Sequence, residues 1–151
     1  MNKINNKYVI IVVILSLILL NLFQLIKLKN YQSITDNVDS DFGASLDLIC
    51  IGIETIEDNT EDEFVGIAIL ASGTGEAESL YKQSSYYKEN ELLYVALRNL
   101  NTIISNNSRV RELIEKNDLK TLIPIIEDLR KNPLDNEATE KLHVFFRYFE
   151  M

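Results

Sequence analysis

Residues Tyr8 to Ile26 read YVIIVVILSLILLNLFQLI, nineteen consecutive positions without a charged side chain. As a helix rising 1.5 Å per residue this stretch is about 29 Å long, the thickness of a bilayer's hydrocarbon core. It is apolar on every face over five turns. A core helix of a small soluble domain is apolar along one stripe only, so the segment predicts a transmembrane helix. A cleavable signal peptide has a shorter apolar region ending in small residues. Here Lys27, Leu28 and Lys29 follow instead, and Cys50 lies too far downstream to carry a lipid next to the span. The expectation is therefore an uncleaved signal anchor. The chain then divides into an N-terminal flank (1–7), the anchor (8–26), a connector (27–35) and a helical domain (36–151).

The orientation of the anchor rests on charge. Lys3, Lys7 and the amino terminus precede the span, while Lys27 and Lys29 follow it, so the positive-inside count is nearly tied. The stretch beyond breaks the tie. Residues 30–81 hold 12 acidic side chains and no basic one, whereas residues 82–151 hold 11 of each. We expect a single-pass protein of the cell membrane with its amino terminus inside and its domain extracytoplasmic. Ser16, Asn21 and Gln24 interrupt the apolar run, and the Asn21 and Gln24 pair lies on one helical face, where hydrogen bonds between helices could support weak homo-oligomerisation.

The remaining residues suffice for one domain with a real core. Thirteen aromatic residues, all Tyr or Phe, accompany only 5 Gly and 2 Pro, a composition suited to packed helices. The periodicity agrees. Phe42, Leu46, Ile49, Ile53 and Ile56 are helically spaced, with some β-like alternation around Leu46–Ile53. Thr60 with Glu63 forms a capping-box pattern for a second helix whose expected core face is Phe64, Ile67, Ala68 and Ala71. Gly73 and Gly75 predict either a break, with a fresh start at Thr74 leading to Leu80, Tyr81 and Tyr87, or a close helix contact.

Glu89–Ser105 carries the clearest stripe, Leu93, Leu97, Leu100 and Ile104, flanked by Ala96 and Ile103. Ser108 is expected to cap a short helix bearing Val110, Leu113 and Ile114. After an Asp118 cap, Leu119, Leu122, Ile123, Ile126 and Leu129 continue the pattern, with Pro124 kinking the helix or resetting its start near Leu122. Asn132 and Pro133 are placed as cap and first residue of a last helix with inner face Ala138, Leu142, Phe145, Phe146 and Phe149. The fold class is all-α, a transmembrane helix followed by a small antiparallel bundle.

Chemistry-bearing motifs are weak by comparison. His143 is the only histidine, which excludes a metal site built on several imidazoles, and it falls at the edge of an apolar stripe. Cys50 cannot form an intrachain disulfide and follows Ile49 on an inward face, as a small buried hydrophobe does. The run NVDSDFG (37–43) alternates acids like a calcium loop. Counted from Asp39, however, Ala44 stands where the turn glycine belongs and Cys50 where the bidentate glutamate belongs. SGTGE (72–76) lacks the third glycine and the lysine of a phosphate loop. No cofactor or metal is expected.

What stands out is the acidic half, within which Glu61, Asp62 and Glu63 form a candidate docking site for a basic protein partner. Its charge disfavours anionic lipid and nucleic acid. The functional expectation is a membrane-anchored binding, sensing or assembly component. Two rivals are a tethered enzyme with a site built from dispersed carboxylates, and an adaptor whose domain faces the cytoplasm.

Overall fold

The computed structural model describes residues 6–58, 63–116 and 119–147. Among these residues every regular element is helical, and there is no strand. The order is α1 (Asn6–Asp58), α2 (Glu63–Tyr81), α3 (Glu91–Ile104), α4 (Asn107–Glu115), a 3₁₀ turn (Leu119–Thr121), α5 (Leu122–Lys131) and α6 (Asn136–Arg147). The chain divides into two units, Met1–Asp36 and Asn37–Met151.

In the first unit the described residues belong to α1. Residues 27–35, expected as a connector, are helical like those before them. None of the residues of this stretch, LKNYQSI among them, is Gly or Pro, so nothing local stops the helix. Its large apolar side chains from Tyr8 to Leu28 are all exposed, with values from 48% at Val9 to 68% at Tyr8. This is the one helix among the described residues long and apolar enough to cross a membrane by length and composition.

The second unit is organised around the later turns of α1. Phe42, Leu46, Ile49 and Ile53 are wholly buried, and Ile56 nearly so; this is the helical stripe read from the spacing, and the β-like alternation leads to no strand. Against it lies α2, running in the opposite direction, since Gly66 meets Ile56, Leu70 meets Gly52 and Gly73 meets Ile49. These contacts are backbone-close. A methyl at Gly52 would lie 2.6 Å from the Leu70 amide nitrogen, and one at Gly73 would lie 2.9 Å from that of Ile49. Helix α2 continues without a break through Gly73 and Gly75, so the expected fresh start at Thr74 is not formed and the close-contact alternative holds. The helical penalty of Gly52, Gly66 and Gly73, about 1 kcal/mol each, is offset by packing that no larger residue would permit.

This approach also rotates the core face of α2 away from the one expected. Gly66, Leu70, Gly73, Thr74, Ala77 and Tyr81 are buried, whereas Phe64 is 74% exposed and Ala68 is exposed as well. Ile67 and Ala71 are only partly buried. Turning Phe64 inward would rotate the glycines away from α1 and hold the two backbones apart. The Thr60 cap lies outside the described residues.

Helix α3 buries its whole expected stripe, Leu93, Leu97, Leu100 and Ile104, with Ala96 and Ile103. Its N-cap is Asn90, whose side-chain oxygen accepts from the Leu93 amide at 3.3 Å. The amide end of Asn90 donates to Thr139 Oγ1 at 2.8 Å and to the Pro133 carbonyl at 3.3 Å. The Asn90 carbonyl in turn accepts from the Tyr81 hydroxyl at 2.8 Å. One buried side chain and its backbone thus tie together the end of α2, the start of α3 and the start of α6. Burial pushes the Tyr81 phenol well above its ordinary pKa, with Glu89 adding to the shift, so the hydroxyl remains a donor. Around it Tyr81 packs on Phe42 at 5.1 Å and Tyr87 at 6.2 Å between ring centroids.

Two predicted helix starts shift. Helix α4 is capped by Asn106, which accepts from the Ser108 and Arg109 amides, so Ser108 lies inside the helix instead of capping it. Asn106 comes just after the C-cap of α3, and its extended backbone suits it to the cap position. Helix α6 starts at Asn136, not at Pro133. Asn132 turns its oxygen to the Leu134 amide, and Asp135 caps the helix by accepting from Glu137 and Ala138. Asp135 is the better cap because two amides share its carboxylate at the positive end of the helix dipole. The reset at Leu122 is as expected: Pro124 is the third residue of α5, within the first turn, where an amide hydrogen would have no intrahelical acceptor. Leu142 and Phe146 are fully buried and Ala138 nearly so. Phe145 is partly buried. Asp118 and Phe149 lie outside the described residues.

Two tests follow from this packing. Gly73→Ala should lower the stability of the chain by about 1–3 kcal/mol in urea unfolding, the cost of overpacking. Gly75→Ala, whose added methyl meets only Asn101 Oδ1 at 3.8 Å, should raise it by about 0.5–1 kcal/mol. Likewise Asn90→Ala, which strands buried partners, should cost about 2–3 kcal/mol, against about 1 kcal/mol for the exposed cap variant Asn106→Ala.

Candidate functional site

Of the expected docking triplet, Glu61 and Asp62 lie outside the described residues. Glu63 opens α2 and is half-buried, where its carboxylate sits favourably at the positive end of the helix dipole. It shares a shallow groove of about 330 Å³ with Phe64, Arg111, Ile114 and Glu115. The groove is mixed in character. Arg111 brings positive charge to a stretch of sequence that has no basic side chain of its own, and Phe64 with Val65, 74% and 53% exposed, adds apolar area. Phe64 was expected inward, at the head of a core stripe that α2 uses only in part, through Ile67 and Ala71.

Several carboxylates of the acidic half are engaged within the domain. Asp47 accepts from Arg130 Nε of α5 at 2.6 Å. Asp39 accepts from the Ser85 amide and hydroxyl, at 2.9 and 2.6 Å. Glu78 accepts from Asn101 of α3 at 2.8 Å. Counter-charge from the second half of the chain therefore reaches the first half at Arg130. The Asp47–Arg130 pair is about half exposed on both sides, so its contribution is at most about 1 kcal/mol.

Cys50, on α1, is half-buried near Glu127 and Arg130 of α5. Burial, then the carboxylates of Glu127, Glu54 and Asp47, push its thiol up to about 11, against a smaller opposing effect of Arg130. A nucleophilic cysteine requires the reverse, a basic neighbourhood that stabilises thiolate. His143, inside α6, is half-buried and borders a second shallow groove with Leu92, Glu140 and Val144, at the edge position that its spacing implied. Among the described residues no three His, Cys, Asp or Glu side chains converge in a way that could hold a metal ion.

Compared with known proteins, the sequence matches no protein-family model and no curated protein, and the fold matches no solved structure.

The thiol provides the sharpest chemical test of this surface. At pH 8 a group titrating near 11 is about one-thousandth thiolate, whereas an unperturbed one titrating near 9 is about one-tenth thiolate. Alkylation of Cys50 by iodoacetamide should therefore run about a hundredfold slower in the folded chain than in urea, and the folded rate should climb tenfold per pH unit up to about pH 11. A folded rate equal to the unfolded one would show that the acidic neighbours and burial do not act on the thiol.

Proposed function

We propose that this chain is a single-pass membrane protein whose helical domain, arranged as a small antiparallel bundle, serves as an extracytoplasmic binding, sensing or assembly component. The observation that carries this reading is the exposure of every large apolar side chain from Tyr8 to Leu28. Each such side chain left in water forfeits about 1.5–3 kcal/mol of transfer free energy, and hydrocarbon is the surroundings that a uniformly apolar helix surface fits. The domain, by contrast, covers its own stripes and engages much of its polar chemistry internally.

The partner we propose is a basic protein that docks on the acidic half near Glu61, Asp62 and Glu63. The exposed Phe64 and Val65 beside Glu63 support this surface, since an apolar anchor rimmed by charge is how protein interfaces combine affinity with steering. The net acidity also turns the domain away from anionic headgroups.

Alkaline carbonate should leave the full chain in the membrane pellet, and an impermeant protease added to intact cells should remove the domain while cytosolic controls survive. Recovery in the carbonate supernatant would overturn the anchor. Protection until lysis would reverse the orientation and make the domain a cytoplasmic adaptor.

A further inference from the structure

Ile14, Leu17, Asn21, Gln24, Leu28 and Tyr31 succeed one another at alternating spacings of three and four residues. That repeat keeps side chains on one seam between two helices wound left-handedly around each other, with Ile14, Asn21 and Leu28 at one core position and Leu17, Gln24 and Tyr31 at the other. All six are exposed on α1. Taking the anchored reading above as its premise, we propose that this seam pairs two copies of the chain in parallel, within the bilayer from Ile14 to Gln24 and just beyond it at Leu28 and Tyr31, with the Asn21 carboxamides bonded to one another across the two-fold axis.

The polar groups identify the occupant. A carboxamide carries two N–H donors and an acceptor oxygen. Asn21 commits one donor to the Leu17 carbonyl at 2.9 Å, so a donor and the oxygen remain to be satisfied, and lipid tails offer neither a partner donor nor an acceptor. Copies of a single-pass chain share one orientation, so their helices pair in parallel and each seam residue faces its own counterpart. Asn21 facing Asn21 lets each oxygen accept from the other's free N–H. The neighbouring seam positions agree with a pair. A β-branched residue at Ile14 followed by Leu17 favours two strands, and a single Asn in the Ile14 series of positions fixes register and discourages larger assemblies. The opposite face, including Leu19 and Ile26, carries one hydroxyl, Ser16, and no carboxamide.

The test uses the full chain in phosphatidylcholine vesicles, carrying Cys50→Ser and one new cysteine at a time. Oxidation should link Ile14→Cys, Leu17→Cys and Leu28→Cys into dimers, and should leave Leu19→Cys and Ile26→Cys monomeric. With Asn21→Leu and Gln24→Leu together, dimerisation followed by energy transfer on lipid dilution should weaken by about threefold to twentyfold, the range that such bonds contribute between membrane helices. Uniform cross-linking around the helix, or undiminished pairing in the leucine variant, would overturn the seam. A chain that resists carbonate extraction yet stays monomeric would overturn the pairing alone, whereas release of the chain by carbonate would overturn the anchor and the pairing with it.

Discussion

The domain depends on the backbone-level approach of α1 and α2 at Gly52, Gly66 and Gly73. With a Cβ at any of these positions the two helices would have to separate by tenths of an ångström or more, and the side chains stacked beyond them would lose their fit, because interiors packed near crystal density tolerate little change of volume. The approach sets the rotation of α2 about its own axis. That rotation sends Leu70, Ala77 and Tyr81 inward and leaves Phe64 and Val65 outside. The most exposed aromatic residue among the described residues of the domain is thus a by-product of close glycine packing, and it stands beside Glu63 at the surface proposed for a partner.

A second constraint lies at Asn90. Buried polar groups require partners, and here a single residue serves the cap of α3, the Tyr81 hydroxyl and Thr139 of α6. Such a fully satisfied cluster gives a mostly aliphatic core a defined geometry, since sliding any one of the three helices would strand several groups at once. The aromatic cluster of Phe42, Tyr81, Tyr87 and Tyr94 surrounds the same corner, with ring pairs tilted or edge-on as their quadrupoles prefer.

The acidic half is more integrated than its composition implies. Arg130, Ser85 and Asn101 each bring a donor from later in the chain to a carboxylate of the first half. The same acidity sets the chemistry of Cys50, whose thiol is held protonated by neighbours that come from both halves. A surface of this kind suits recognition by complementary charge better than nucleophilic catalysis.

The sequence by itself determined the helical class, the apolar N-terminal segment, the stripes of α1, α3 and α6, and the restart at Leu122. Each of these follows from local periodicity or from a proline whose backbone effect needs no context. Glu63 was legible as a first-turn acid, and the edge position of His143 followed from its neighbours. Tertiary structure decided the face of α2, the continuity through Gly73 and Gly75, the Asn90 cluster and the groove joining Glu63 to Arg111. In each of these the deciding partner is remote in the chain: Ile49 for Gly73, Thr139 for Asn90, Arg111 for Glu63. A glycine reads locally as a helix breaker because its backbone freedom is lost on folding. Only a second helix, close enough to use the missing side chain, turns that local cost into the contact on which the domain is built.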